Sequence, residues 1–177
     1  MKDFYELAAH RGSCRHYSDK PVDGEVLARC VAAASLAPSA CNSQPWRFVI
    51  VTNPEKRAAL AKLTQFGFNE WSDEAKAFFV AVEVAKPEVF PFVVEHYGAS
   101  HFAEGDVGIA TAYLLLEADD LGLGTCVIGV FDQAKVKELL GIPQEYTVRY
   151  VIPAGWPAVS PREKSRKNIS DICTLID

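Results

Sequence analysis

Two cationic motifs lie near opposite ends of the chain. Arg11, Ser13 and Arg15 occupy alternate positions of the first motif, and Lys164 and Arg166 flank a serine in the second. In an extended chain, such alternate side chains point to the same side. Guanidinium groups bind phosphate oxygens in pairs, so the two motifs could hold one dianion from opposite sides. Taken singly, each motif also fits an ordinary solvated surface.

A third polar motif covers residues 38–46. It places hydroxyl and amide side chains between two prolines, which prevent a helix, and it ends in a tryptophan. Rigid loops with such side chains can bind a flat ligand through hydrogen bonds, although a plain turn would explain part of the motif. The polar members are Ser39, Asn42, Ser43 and Gln44.

Other common signatures of catalysis are absent from the sequence. The glycines between residues 122 and 129 precede an apolar run instead of following one, which argues against a dinucleotide fingerprint. We expect Gly122 and Gly124 to end a helix, and Gly129 to let a ligand approach the backbone. The four histidines lack metal-ligand spacing, so we expect no metal site.

Composition and charge restrict the class of protein. The chain has 177 residues, enough for one domain over residues 1–177 with its own core. Its 18 Lys and Arg against 23 Asp and Glu give a net charge of −5, which argues against nucleic acid or an anionic membrane as partner. No apolar run approaches the roughly 18 residues of a membrane helix. Five widely spaced cysteines without a Cys-x-x-Cys pair indicate reduced thiols and a cytoplasmic location.

The elements that must position these motifs follow from apolar periodicity and capping residues. Asp23, Asn53 and Asp132 are expected to cap helices. Residues 11–21 are predicted to be extended, and residues 86–103 irregular or a short helix. The predicted helices cover residues 3–9, 24–37, 54–63, 106–121 and 133–140, and the predicted strands cover residues 48–51, 78–84, 126–130 and 148–152.

The order of these elements bears on architecture and assembly. Helices and strands alternate through the middle of the chain, which indicates a mixed α/β arrangement but leaves the strand directions open. The polar tail after Trp156 ends with Ile172, Leu175 and Ile176. We expect this apolar patch to dock on another surface, such as a partner subunit.

Five segments in this order resemble the nitroreductase family, whose members are FMN-dependent homodimers. The resemblance covers residues 4–171 and is strong because all five segments occur at family-like spacing. It implies an α+β fold, with a central mixed or antiparallel sheet flanked by helices, and an intertwined homodimer. The segments are residues 11–15, residues 38–46, Phe68-Asn69-Glu70, residues 122–125 leading into Ile128-Gly129, and residues 164–166.

By this resemblance, the cationic motifs hold one end of FMN. Arg11, Lys164 and Arg166 would bind the phosphate, which carries a charge of about −2. Ser13 and Arg15 would face the ribityl chain and the pyrimidine edge of the ring.

The resemblance assigns the remaining contacts mainly to the flavin ring. Pro38, Ser39 and Asn42 would come from the partner subunit and line the isoalloxazine. Asn69 would hydrogen-bond its polar edge, and the backbone N–H of Gly129 would reach flavin N5. The implied cofactor site also includes Gly12, Gln44 and Ile128.

The chain departs from the family pattern at two places. A lysine that some members place three residues after the equivalent of Asn69 is Ser72 here. Arg15 is therefore expected to be the cation near the pyrimidine end. A long helical insertion of larger members is missing, so residues 86–103 would cover the substrate side instead.

The resemblance implies an enzyme, an FMN-dependent NAD(P)H oxidoreductase with a ping-pong mechanism. Flavin N5 would take hydride from NADH or NADPH, and a nitroaromatic, quinone or similar small acceptor would receive it, with no catalytic side chain required. Two alternatives are a specialised reductive flavoenzyme of the same fold, of dehalogenase type, and a non-catalytic protein that binds or senses flavin. The physiological acceptor and the choice between NADH and NADPH stay open.

Overall fold

The computed structural model describes residues 3–176, which contain six helices and four strands. The helices are α1 (Phe4–His10), α2 (Gly24–Ala34), α3 (Pro54–Lys62), α4 (Pro91–Tyr97), α5 (Ala103–Asp120) and α6 (Gln133–Leu140). The strands are β1 (Trp46–Val51), β2 (Ala77–Glu83), β3 (Gly124–Thr125) and β4 (Thr147–Gly155). Short 3-10 turns occupy Ala40–Asn42, Glu70–Glu74 and Ile169–Asp171.

The four strands form one sheet in the order β1-β2-β4-β3. All three neighbouring pairs are antiparallel, which answers the question of strand direction that the order of the elements left open. Ser13 adds a single parallel bridge to Thr125, so residues near Ser13 extend the sheet beyond β3. The expected α+β fold, with an antiparallel central sheet, is confirmed.

Strand β2 is buried along its full length because helices cover both faces of the sheet. On one face, Phe79 packs in a core with Leu27 of α2 and Leu114 of α5. On the other face, Phe78 belongs to a core that includes Leu60 of α3 and Val136 of α6. Burial of both faces explains why β2 is apolar from Ala77 to Val82 instead of alternating, with the charged Glu83 only at its end.

The three predicted helix caps are confirmed. The side chains of Asp23, Asn53 and Asp132 accept hydrogen bonds at 2.9, 3.0 and 3.2 Å from backbone N–H groups in the first turns of α2, α3 and α6. Each such cap contributes about 1 kcal/mol to stability. These local signals therefore locate the starts of three helices correctly.

The predicted strand over residues 126–130 is wrong. Strand β3 contains only Gly124 and Thr125, and Ile128 forms a single antiparallel bridge. Gly124 does not end a helix, because it lies where two backbones approach closely: an added Cβ would lie 2.7 Å from the sulfur of Cys14. Gly122, with a φ of 81°, follows the end of α5 as expected.

One further difference concerns the start of α5, whereas the short helix that was one prediction for residues 86–103 is present. Helix α5 begins at Ala103, earlier than predicted, so Asp106 lies in its first turn. Residues 91–97 form the short helix α4, which has no buried residue. Within residues 3–176, no helix has both the length and the apolar character needed to cross a bilayer.

Candidate cofactor site

Residues 11–17 run along the edge of the sheet beside β3. The backbone N–H of Cys14 donates to the carbonyl of Thr125 at 2.9 Å. The buried Tyr17 donates its hydroxyl to the carbonyl of Cys14 at 2.8 Å, and its backbone N–H donates to the carboxylate of Glu74 at 3.1 Å. These bonds fix the first cationic motif between the sheet and the turn that contains Glu74.

The three alternating side chains of this motif lie around one thiol. Burial raises the pKa of the Cys126 thiol, whereas Arg15, a hydrogen bond with the Ser13 side chain and Arg11 act to lower it. All three groups must be close to Cys126 to exert these effects. Arg11, Ser13 and Arg15 therefore share one side of the segment, as their alternation predicts.

The two cationic motifs converge although 150 residues of chain separate them. The ammonium of Lys164 donates to the carbonyl of Ala8 at 2.8 Å, which ties the C-terminal motif to α1. Desolvation lowers the pKa of Lys164, and the positive charges of Arg11 and Arg166 lower it further. The mutual repulsion of these three cations shows that they lie close together.

No carboxylate of the described residues forms a salt bridge with this cationic cluster. Within residues 3–176, none of Arg11, Lys164 and Arg166 forms a salt bridge. The carboxylate that acts on Lys164, that of Asp119, is hydrogen-bonded to His10 at 2.7 Å. Three neighbouring cations that form no salt bridge could bind a phosphate group through short charge-assisted hydrogen bonds.

Open space adjoins the first cationic motif. A cavity of about 470 Å³ lies between residues 12–16 and residues 157–162, and Ser13, Arg15 and Arg162 contribute to its lining. This volume is in the range of small-molecule and cofactor sites. A ligand can therefore approach the motif without displacing the described side chains.

The turn at Glu70–Glu74 brings a second set of polar groups to Arg15. The guanidinium carbon of Arg15 lies 5.7 Å from the ring centre of Trp71, in cation–π contact. Asn69, which precedes the turn, donates its amide group to the carbonyl of Thr64 at 2.9 Å. The side-chain oxygen Oδ1 of Asn69 has no hydrogen-bond partner in the described part of the chain, so it can accept a bond from a ligand.

Ser72 occupies the position of the family lysine noted above, and it points into the core. It is fully buried, and its hydroxyl lies 3.1 Å from that of Thr64. Arg15, stacked on Trp71, is the cation beside this turn. The role of Arg15 in place of the lysine stays a prediction.

Gly129 presents a free backbone donor next to a fixed residue. The N–H and carbonyl of Ile128 bond to Val151 at 2.9 and 3.0 Å, which holds Ile128 against β4. The N–H of Gly129 has no acceptor among the described residues, and nothing lies within 4 Å of the position that a Cβ would take there. A ligand can approach this N–H closely.

The loop over residues 38–44 has an unusual backbone. Cys41, Asn42 and Gln44 have φ values of 54°, 52° and 44°, a conformation that costs non-glycine residues roughly 1–2 kcal/mol each. The hydroxyl of Ser39 accepts the N–H of Gln44 at 2.9 Å, which helps to hold the turn. The side chain of Asn42 is exposed and forms no hydrogen bond within the described residues, so it is available to a ligand.

This loop lies far from the cationic motifs of the same chain. It leads into β1 at one edge of the sheet, whereas Ser13 adds to the opposite edge, beyond β3. Four strand spacings separate these edges by roughly 19 Å. Pro38, Ser39, Asn42 and Gln44 are therefore not brought together with Gly12, Lys164 and the rest of the cationic cluster in one subunit.

Two residues of the site carry no signal in the sequence. Trp71 stacks on Arg15, and Asp106 accepts the backbone N–H of Ala40 at 3.1 Å. An acidic residue in the first turn of a helix is common for electrostatic reasons, so its type does not reveal a contact with a distant loop. Only the tertiary structure identifies these two contacts.

The segment over residues 90–102 presents a continuous aromatic surface. The rings of Phe92, His96, Tyr97, His101 and Phe102 follow one another with centroid separations of 4.1 to 6.4 Å. Phe92 and Tyr97 are more than half exposed.

In residues 3–176, no group of three or more His, Cys, Asp or Glu side chains could hold a metal ion.

Comparison with known proteins identifies the family. The chain is 32% identical over 162 residues to an Archaeoglobus fulgidus protein named NADH dehydrogenase/NAD(P)H nitroreductase, covering 89% of this chain and 87% of that protein. It is 27% identical over 179 residues to an iodotyrosine deiodinase of Thermotoga neapolitana, covering 95% of each. An FMN-dependent nitroreductase structure from Clostridium difficile R20291 superposes with a TM-score of 0.73 at 27% identity, covering 95% of this chain and 94% of that one. Residues 8–156 match the model of the nitroreductase family, and the chain therefore belongs to that family.

Proposed function

We propose that this chain is an FMN-dependent oxidoreductase that takes hydride from NADH or NADPH. The observation that carries the proposal is the convergence of Arg11, Lys164 and Arg166, none of which forms a salt bridge within the described residues. FMN ends in a phosphate of about −2 charge, which would neutralise this cluster. The names of the relatives, which include an NAD(P)H nitroreductase and an FMN-dependent nitroreductase, support the same activity.

The protein would bind and orient the cofactor rather than react itself. Arg11, Lys164 and Arg166 would hold the phosphate, and Ser13 and Arg15 would face the ribityl chain and the pyrimidine edge. The side-chain oxygen of Asn69 and the N–H of Gly129 offer one acceptor and one donor to the polar atoms of the ring. When bound, FMN supplies the hydride chemistry, at N5, between NAD(P)H and a nitroaromatic, quinone or similar acceptor in a ping-pong cycle.

The functional unit in this proposal is a homodimer. Pro38, Ser39 and Asn42 lie roughly 19 Å from the cationic motifs in one chain, which supports their use at the flavin of a second copy. The C-terminal arm, residues 157–176, supports the same assembly. Its Leu175 and Ile176 are 84% and 90% exposed and need an apolar surface to cover them.

A second candidate function is reductive dehalogenation on the same fold. The similarity to an iodotyrosine deiodinase along nearly the whole chain favours it, as does the exposed aromatic surface over residues 90–102, which could stack on a halogenated phenol. Release of iodide from 2-iodophenol, in which the iodine is ortho to the hydroxyl, by the donor-reduced protein, faster than reduction of a nitroaromatic, would favour this candidate over the first.

The deciding experiment is an absorbance spectrum of the purified protein before and after anaerobic addition of NADH, and then NADPH. A flavin band at about 450 nm that bleaches with a donor would support the oxidoreductase, and the faster donor would reveal whether the protein prefers NADH or NADPH. A flavin band that resists both donors would favour the non-catalytic, flavin-sensing alternative. No flavin, even after addition of FMN, would overturn the proposal.

A further inference from the structure

Asp106 is a buried carboxylate whose hydrogen-bond partner lies on another element. It is only 7% exposed, although aspartate is among the residues least often buried without a partner. Its Oδ2 accepts the backbone N–H of Ala40 at 3.1 Å, and it forms no salt bridge in the described part of the chain. Glu104, two residues earlier, instead pairs with Arg149 at the surface. The carboxylate of Asp106 is therefore directed at the loop over residues 38–44.

The hydrogen bond to Asp106 differs from the other side-chain hydrogen bonds of this loop because its acceptor lies outside the loop. The bonds between Ser39 and Gln44, and between Gln44 and Asn42, join members of the loop to one another. In residues 3–176, Asp106 is the only side chain outside the loop that bonds to it. This bond fixes the backbone at Ala40, immediately before the segment that contains the left-handed residues Cys41, Asn42 and Gln44.

We propose that Asp106 is a positioning residue that sets the orientation of the loop over residues 38–44, and through it the approach of Ser39 and Asn42 to the flavin ring. The inference rests on the proposed function, because the loop matters for catalysis only if it contacts the cofactor. Asp106 touches neither cofactor nor substrate; it acts through the N–H of Ala40. Loss of the carboxylate releases this amide and lets the strained turn relax.

The effect should appear at the ring end of the cofactor and not at the phosphate end. Asp106 lies near one end of α5. Asp119, beside the cationic cluster, lies near the other end, about 20 Å away along the helix. Arg11 and Lys164 therefore keep their contacts in a variant of Asp106. A small shift of the loop would change the surroundings of the ring, where a misplacement of about 1 Å can cost up to roughly 100-fold in rate.

The test compares Asp106→Ala and Asp106→Asn with the wild type, all loaded with FMN. Asp106→Ala should change the shape of the bound-flavin absorbance band and lower kcat/KM for the better donor about tenfold, with FMN stoichiometry unchanged. Asp106→Asn keeps an acceptor oxygen at a similar position. Its flavin band should have the shape of the wild-type band, and its kcat/KM should lie within about threefold of the wild-type value. Glu104→Gln, in the same helical turn, is the matched control and should leave both values unchanged.

The outcomes separate this inference from the proposed function. A wild type that neither binds FMN nor is reduced by a donor overturns both. A wild type that does so, together with an Asp106→Ala variant of unchanged spectrum and kcat/KM, overturns only the positioning role. If Asp106→Ala does not fold, Asp106→Glu replaces it: the longer carboxylate keeps the charge but displaces the loop, so an altered flavin band supports the inference and an unaltered one overturns it.

Discussion

The ammonium of Lys164 donates a hydrogen bond to the carbonyl of Ala8 at 2.8 Å, and this contact brings the C-terminal arm back to the first helix of the chain. The arm thereby places its cations beside Arg11, which follows α1. In the proposed phosphate site each motif supplies only part of the positive charge, so the site is complete only when the first and last segments of the fold are both in place.

Removing either side of this cluster should weaken FMN binding. We expect Arg11→Ala and Lys164→Ala each to raise the Kd for FMN about 10- to 100-fold, because each removes a charge-assisted hydrogen bond to the phosphate. Quenching of flavin fluorescence on titration of the apoprotein measures the Kd. Lys167→Ala removes a neighbouring exposed lysine and should have little effect. Unchanged affinity in both of the first two variants would contradict the phosphate assignment.

The protein should be a dimer whose stability depends on the C-terminal arm. We expect Leu175→Asp to shift the protein towards the monomer at micromolar concentration, because the side chain is 84% exposed in one chain and would be covered in the dimer. Multi-angle light scattering measures the mass, and Ala58→Asp on the exposed face of α3 serves as the control. A wild-type monomer that binds FMN tightly would rule out partner-supplied contacts.

Gly124 should tolerate no side chain. In Gly124→Ala the new Cβ would lie 2.7 Å from the sulfur of Cys14 and 3.0 Å from Cγ of Pro157, so the segment beside β3 must move. We expect a loss of about 1–3 kcal/mol in the free energy of unfolding, measured by urea denaturation. Gly105→Ala in α5, where nothing lies within 4 Å, should instead stabilise the helix by up to about 1 kcal/mol. Equal stabilities of the two variants would refute this packing argument.

Burial of Cys30 should make the fold less stable at alkaline pH. Burial, with a smaller contribution from the charge of Glu117, raises the pKa of this thiol from 9.0 to about 12. The folded state keeps the proton while the unfolded state releases it above pH 9.0, so this contribution to stability is present below pH 9.0 and is lost as the pH rises towards 12.

Urea unfolding at about pH 8 and about pH 10 tests this effect in the wild type and in Cys30→Ala. The fall in unfolding free energy between the two pH values should be smaller in Cys30→Ala, whatever its absolute stability. Cys173→Ala, which changes an exposed cysteine, should fall as much as the wild type. An identical fall in all three proteins would show that Cys30 does not contribute.

Features set by neighbouring residues could be predicted from the sequence. The caps at Asp23, Asn53 and Asp132 depend on side chains that bond within their own first turns, so local patterns suffice. The incorrect strand over residues 126–130 shows the opposite case. The apolar run there favours a strand, but regular pairing with β4 is limited to Gly124 and Thr125, and that pairing joins segments that are distant in sequence.

The candidate site divides in the same way. Arg11, Ser13 and Arg15 could be predicted because their alternation is local, and the structure shows them around the Cys126 thiol. The contact between Asp106 and Ala40 could not, because it depends on how α5 packs beside a loop with left-handed residues. Polar residue types indicated that this loop binds a ligand, but they contain no information about what supports it.

The length of α5 limits how this protein can change. The helix spans about 27 Å, from the turn that supports the loop at Ala40 to the end that pairs with His10. Inserting or deleting one residue would rotate the two ends by about 100° relative to each other and would misdirect one of them. Changes in the length of α5 are therefore incompatible with these two contacts, whereas a change in the length of α4 would displace no buried residue of that helix.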